Sequence, residues 1–112
     1  MVSFGEAYTA KVYFKGVNGT YKKRPVLIVD DSEEGLITFA EITGTKPSVP
    51  PKYYDRFKVE IVDWQSVGLN EQSWVKCHKG NLHRVSKDRM IHRIGRVGNE
   101  VMEEVLTKII NQ

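Results

Sequence analysis

The chain has 112 residues, enough for one domain spanning 1–112, and its 28% charged and 40% hydrophobic (AVILMFWYC) residues place it among folded rather than disordered chains. A formal net charge of +3 permits a nucleic-acid partner without requiring one. The single cysteine, Cys77, excludes an intrachain disulfide and a cysteine-built zinc site, and no apolar run reaches the ~20 residues that cross a bilayer. The N-terminal MVSFGEAYTA lacks a basic stretch followed by an apolar one, so no signal peptide is expected and the cytoplasm is the expected location.

Taken in order, Ala7–Phe14 is rich in Tyr, Val and Phe and predicts a first strand. Gly16, Asn18 and Gly19 place a hairpin loop over Lys15–Lys23. Val26–Val29 is a continuous apolar run between Pro25 and Asp30, which predicts a strand buried on both faces. The acidic stretch Asp31–Gly35 turns the chain into a third strand, Gly35–Ile42. Three of the four prolines fall in Lys46–Tyr54, which must be irregular. Phe57, Val59, Ile61 and Trp64 predict a fourth strand, followed by a loop over Ser66–Gln72. Ser73–Cys77 and Leu82–Val85 predict two more strands. Ser86 can cap a single helical turn through Arg89, and Met90–Val97 predicts a last strand. From Gly98 or Asn99 to Ile110, apolar residues at Val101, Met102, Val105, Leu106, Ile109 and Ile110 give a helix with one buried stripe. Short strands in succession with one terminal helix predict a mainly β fold, a small antiparallel barrel.

Two stretches carry candidate chemistry. In KKRPVLIVD, Arg24 stands at the mouth of the core strand, with Lys22 and Lys23 expected on the loop before it. A planar guanidinium anchored there can bond two phosphate oxygens at once. The second stretch runs from Lys76 to Arg96 and holds seven Lys and Arg, all three histidines, and one acid, Asp88. The rest of the chain has 10 basic against 13 acidic residues, obtained by subtraction from totals of 17 and 14. A basic segment on a near-neutral domain is the footprint of a phosphate backbone; it is equally the pattern of a solvated face balanced by Asp55, Glu60 or the helix acids.

Trp74, Trp64, Tyr21, Tyr53, Tyr54 and Phe57 lie near the loops. Some are placed to stack on unpaired bases, and most are expected to fill the core. The histidines show no metal-ligand spacing, nucleotide-binding glycine loops are absent, and neither metal nor cofactor is expected. Cys77, two residues after Val75, should share the inward face and be inert.

The order of these pieces resembles the PemK/MazF family of toxin endoribonucleases from bacterial toxin–antitoxin pairs. The resemblance rests on RPVLIV, a strand ending in Ile42-Thr43, SWVKC, the basic HRVSKDRM, IGRV and GNEVMEEVLTKII, over about Ala7 to Ile110. It implies a barrel related to SH3 domains, a homodimer, cleavage of single-stranded RNA without metal, and an antitoxin protein as partner. The family's arginine before the proline falls on Arg24, and its strand-ending threonine on Thr43. Where the PemK branch reads VVRCD, this chain reads WVKCH, so Lys76 and His78 stand in place of that branch's arginine and carboxylate. Asn18 stands near the position of its loop histidine.

The resemblance therefore implies catalysis by Arg24, Thr43 and His78, with Lys22, Lys23, Lys46, Lys76, Lys79 and Arg84 holding the RNA. The substrate's 2′-OH would attack the adjacent phosphate, leaving a 2′,3′-cyclic phosphate and a 5′-OH. The alternative is a non-catalytic binding module on the same barrel, acting on RNA or, like a gyrase poison, on a topoisomerase.

Overall fold

The computed structural model describes residues 2–13 and 19–112. Along them run β1 (Glu6–Tyr13), β2 (Tyr21–Asp30), β3 (Leu36–Thr43), β4 (Lys58–Glu60), α1 (Trp64–Val67), β5 (Trp74–Lys76), β6 (Leu82–Ser86), β7 (Met90–Arg96) and α2 (Asn99–Ile110). Phe14, expected at the end of the first strand, and Lys15 to Asn18, expected in the hairpin loop, lie outside the described residues.

The strands pair antiparallel in the order β4–β5–β3–β2–β1–β7, with β6 also on β3. The architecture is mainly β with a C-terminal helix, as expected, but the sheet does not close into a barrel: its path ends at β4 and β7. Strand β3 divides its outer edge, giving Leu36–Ala40 to β6 and Ile42–Thr43 to β5.

Successive side chains of a strand point to opposite faces, so the apolar run of β2 feeds two cores. Leu27 and Val29 join Ala40, Ile42 and Val75 on one face, which α2 covers with Val101, Met102 and Val105. Val26 and Ile28 join Val12, Ile37 and Phe39 on the other. Cys77 is buried in the first core, and burial pushes its thiol up to about 12, so it is unreactive.

Several expectations are corrected. Lys22 and Lys23 lie within β2, paired with Val12 and Lys11 of β1, not on a loop before it. The predicted fourth strand is only Lys58–Glu60, with a 3-10 turn over Tyr54–Phe57 before it and α1 after it. Trp64 follows Ile61 by three residues, a helical rather than a strand spacing, and its N–H donates to the Ile61 carbonyl. The helix stripe buries Val101, Met102 and Val105, whereas Ile110 is exposed. Of the loop aromatics only Trp74 is buried; Tyr21, Tyr53 and Tyr54 are exposed. Ser86 does cap the turn Lys87–Arg89, accepting from the Asp88 N–H at 3.3 Å.

Gly95 brings α1 and β7 together. A Cβ there would overlap the Val67 carbonyl oxygen, so only glycine lets the end of α1 sit on the strand.

Candidate nucleic-acid interface

The second core face runs out into polar groups at one end of β2 and β3. The register pairs Ala10 with Arg24 on one side of β2 and Val26 with Glu41 on the other. Two residues beyond that last pair stand Arg24 and Thr43, on the same face by strand alternation. The β2–β3 ladder starts at Val26, because β3 has turned to β5 by Ile42. Pro25, which has no N–H to give, is tolerated at this border, where β2 keeps only β1 as neighbour.

Arg24 and Thr43 together wall two cavities. The larger, of about 770 Å³, is lined also by Lys23, Thr9, Asn70 and His92. The smaller, of about 320 Å³, is lined by Lys76, Glu41, His83 and Asn81. A third, of about 400 Å³, shares Lys76, Gly80 and Asn81 with the second and ends at His78 and Tyr54. The second and third run together past Lys76, Gly80 and Asn81 as one groove, with Arg24 and Thr43 at one end. The first cavity lies on the other side of the wall that Arg24 and Thr43 make, on the sheet face to which Thr9 and Lys23 point by alternation. The Thr43 hydroxyl oxygen accepts from the Thr45 N–H at 3.1 Å, which leaves its own proton to donate into the groove.

Among the described residues, the cations divide by whether an acid holds them. Arg84 is bound by the Glu33 carboxylate through Nε at 2.8 Å and again through its other nitrogen. Arg93 Nε lies 2.6 Å from Glu6. The balancing acids are thus Glu33, Glu6 and, for His83, Glu41, not Asp55, Glu60 or the helix acids. Arg24, Lys23 and Lys76 make no ion pair among the described residues; Arg24 and Lys76 face the groove, and Lys23 lines the first cavity. Unpaired cations on a groove wall are the pattern that receives a phosphate backbone.

The predicted residues therefore separate. Arg24, Thr43 and Lys76 meet in the groove, and Lys23 lines the first cavity, which Arg24 and Thr43 also wall. His78 lies one cavity away: it caps the turn Lys79–Asn81, its Nδ1 accepting from the Gly80 N–H at 3.0 Å, and it packs edge-on against Tyr54 and Phe57. Lys22, Lys46, Lys79 and Arg84 line none of the three cavities, and Asn18 is outside the described residues.

The residues that the sequence did not single out are His83 and Glu41. His83 stands opposite Phe39 on β6, stacks on that ring at 4.8 Å, and places Nε2 3.0 Å from Glu41 Oε2. That hydrogen bond, despite opposing burial, holds the Glu41 carboxyl below its usual range, and Lys76 and Arg24 add to the effect. A signal was available in LHRVS: Val85 packs on the second core, so His83, two residues earlier, faces the same way.

Among the described residues no three His, Cys, Asp or Glu side chains gather to hold a metal, and no helix is long and apolar enough to cross a membrane.

Residues 4–112 match the family model described as the PemK-like, MazF-like toxin of type II toxin–antitoxin systems. No curated protein matches the chain. Among solved structures, an endoribonuclease in complex with its cognate antitoxin from a Mycobacterial species has a TM-score of 0.71 at 19% identity, covering 99% of this chain and 93% of its own. The Mycobacterium tuberculosis toxin MazF-mt6 gives 0.68 at 22%, covering 95% and 93%. A MazE-MazF structure from Deinococcus radiodurans gives 0.69 at 14%, covering 98% and 94%. At these identities the likeness is one of fold.

Proposed function

The chain belongs to the PemK-like, MazF-like toxin family of type II toxin–antitoxin systems, and from that premise we propose that it is an endoribonuclease that cuts single-stranded RNA across Arg24. The observation that carries this is the shared wall: Arg24 and Thr43 face the groove beside Lys76 and also wall the cavity of Lys23, and none of the three cations makes a salt bridge among the described residues. Neighbours of the same fold named as endoribonucleases support it.

In the reaction, the substrate's 2′-oxygen bonds to the adjacent phosphorus and the bond from phosphorus to the 5′-oxygen breaks. The 2′-OH loses one proton and the leaving oxygen gains one. Charge builds on the phosphorane oxygens, where a preorganised guanidinium helps most, and this is the role of Arg24. Thr43 donates its hydroxyl proton to a phosphate oxygen. His83 lines the same cavity, and imidazole exchanges protons at neutral pH, so His83 takes the proton-transfer role with Glu41 orienting the ring. His78, with Nδ1 already bonded to the turn, is kept for the flanking nucleotide.

The toxin acts as a homodimer in the cytoplasm, held inactive by an acidic antitoxin that covers the same cations; neighbours solved with their antitoxins support a protein partner. No metal or cofactor is assigned to the step.

The test is a long single-stranded RNA incubated with the protein in EDTA. Products ending in a 2′,3′-cyclic phosphate and a 5′-OH are expected, and a 5′-phosphate would overturn the mechanism. RNA that is bound and left intact would identify the non-catalytic binding module instead. In the same assay His83→Gln should remove the neutral-pH limb of the rate profile, while His78→Gln retains it; the reverse result returns the role to His78.

A further inference from the structure

Beside the Arg24 cavity lies an aromatic group to which the cleavage chemistry gives no task. Tyr53 and Tyr54 are 57% and 58% exposed, where a loop of prolines, polar residues and the exposed Val49 enters the 3-10 turn. Exposing two large rings side by side forgoes the burial that aromatics usually supply, and such patches mark binding sites. The rings are not loose. Tyr53 and Tyr54 meet edge to face at 5.0 Å, and the His78 ring stands edge-on to Tyr54 and to Phe57, both at 4.8 Å.

The loop beneath them is braced by one carboxylate. Asp55 Oδ2 accepts from the N–H groups of Ser48 and Lys52, each at 3.0 Å, and Oδ1 pairs with Lys58 Nζ at 2.9 Å. Lys58 Nζ also donates to the Thr45 carbonyl at 3.2 Å, which ties the loop to the end of β3 just past Thr43. These bonds hold the Asp55 carboxyl far below the usual range, so the brace stays ionised in mild acid. The aromatic shelf is therefore set at a fixed position relative to the groove.

Tyr54 and His78 line the third cavity, and Lys76, Gly80 and Asn81 are its shared wall with the cavity of Arg24 and Thr43. A strand whose phosphate lies at Arg24 would pass Lys76 and bring its next base to the tyrosines. We propose that Tyr54, backed by Tyr53 and His78, is a stacking site for one unpaired nucleobase flanking the cut. Every base has a face that stacks on an aromatic ring, so the shelf itself is sequence-tolerant. The Asn81 amide on the cavity wall can offer donors and acceptors to the base edge and supplies the preference. This inference rests on the RNA-cleaving reading, and cations continuous with the groove favour RNA over a peptide as occupant.

The experiment uses the full chain carrying Arg24→Ala, in which cutting should be slowed roughly 10²–10³-fold so that binding can be read first, and single-stranded RNAs with 2-aminopurine placed at each position in turn. One position should be strongly quenched on binding. The quench should persist with Tyr54→Phe and vanish with Tyr53→Ala/Tyr54→Ala. Tyr54→Ala should weaken RNA binding roughly 5- to 150-fold, the range for losing one base–aromatic stack. A quench that survives the double substitution, or none at any position, overturns the stacking site. If the double variant binds RNA normally but loses the antitoxin, the patch belongs to the protein partner and the proposal falls. Cleavage by the unaltered protein without a tyrosine-dependent quench removes this site alone. A tyrosine-dependent quench without cleavage removes the catalytic reading alone.

Discussion

Strand β2 has two halves with different surroundings. At Val26 and Leu27 it is laddered to β1 on one edge and to β3 on the other, Ile28 continues the β3 ladder, and every side chain from Val26 to Val29 is buried. From Tyr21 to Arg24 it keeps only β1, Tyr21 to Lys23 are exposed, and Arg24 is half-buried. One continuous strand thus passes from core to the proposed binding surface at Pro25, where β3 departs toward β5. The apolar half fixes the position of the basic half. Arg24 inherits the rigidity of Val26 and Leu27 while its guanidinium stays in the groove, an arrangement suited to preorganised electrostatics.

Leu27→Ala should give the largest effect and should act on folding alone. Leu27 is fully buried in the core under α2, and truncating such a side chain costs about 2–5 kcal/mol. Chemical denaturation should show a lower midpoint, and whatever protein remains folded should cleave at the normal rate. A loss of specific activity in the folded fraction would mean that the two halves are not separable.

Arg24→Ala is the opposite case. It should lower cleavage by roughly 10²–10³ through the lost transition-state contact. Its stability change should stay within about 1 kcal/mol, because Arg24 makes no salt bridge among the described residues and only adds to the field that holds Glu41 ionised. Arg24→Lys should recover little, because a point charge does not replace a planar fork. A variant that melts early would place Arg24 in the fold's support.

Much of the fold was legible in the sequence because β2 carries an unbroken apolar run of strand length and the apolar residues of α2 recur at helical spacing. The fourth strand was misread because Val59 and Ile61 alternate well while Trp64 belongs to the next turn. Arg24 and Thr43 were legible as ends of strands. His83 and Glu41 were not, since they come from strands far apart in sequence and meet only through the β3–β6 register. The aromatic shelf was hidden for another reason: composition says that rings are usually buried, and only the Asp55 brace shows why Tyr53 and Tyr54 remain outside.

A cation outside the groove sharpens the contrast. Burial works against ionising Glu6, but hydrogen bonds from Arg93 and from the Ser3 hydroxyl and N–H outweigh it and hold the carboxyl at about 2. A depressed folded pKa gives stability that is present above the ordinary carboxylate value and lost as pH falls through the folded value. Stability should therefore decline between about pH 4.5 and 2 more steeply in the native chain than in Glu6→Gln. At neutral pH Glu6→Gln should cost about 1–3 kcal/mol, the usual loss for a buried hydrogen-bonded group. Thermal melts across that pH range decide it, and parallel curves would show that Glu6 does not carry the linkage.

Thr43→Ala should have the smallest effect. A neutral hydroxyl contributes about 0.5–1.5 kcal/mol net, so cleavage should slow roughly 2- to 13-fold. The substitution also removes the acceptor for the Thr45 N–H, but Thr45 is exposed and water can replace it, so stability should hold. Thr43→Ser keeps the hydroxyl and should restore most of the rate. Thr43→Val keeps the branched shape that suits the strand opposite Trp74 and should behave like Ala. If Val rather than Ser restores the rate, the methyl group is what matters and Thr43 acts through packing. If Ala slows cleavage as much as Arg24→Ala does, Thr43 carries transition-state charge directly, and the last residue of β3 ranks with the fork of β2.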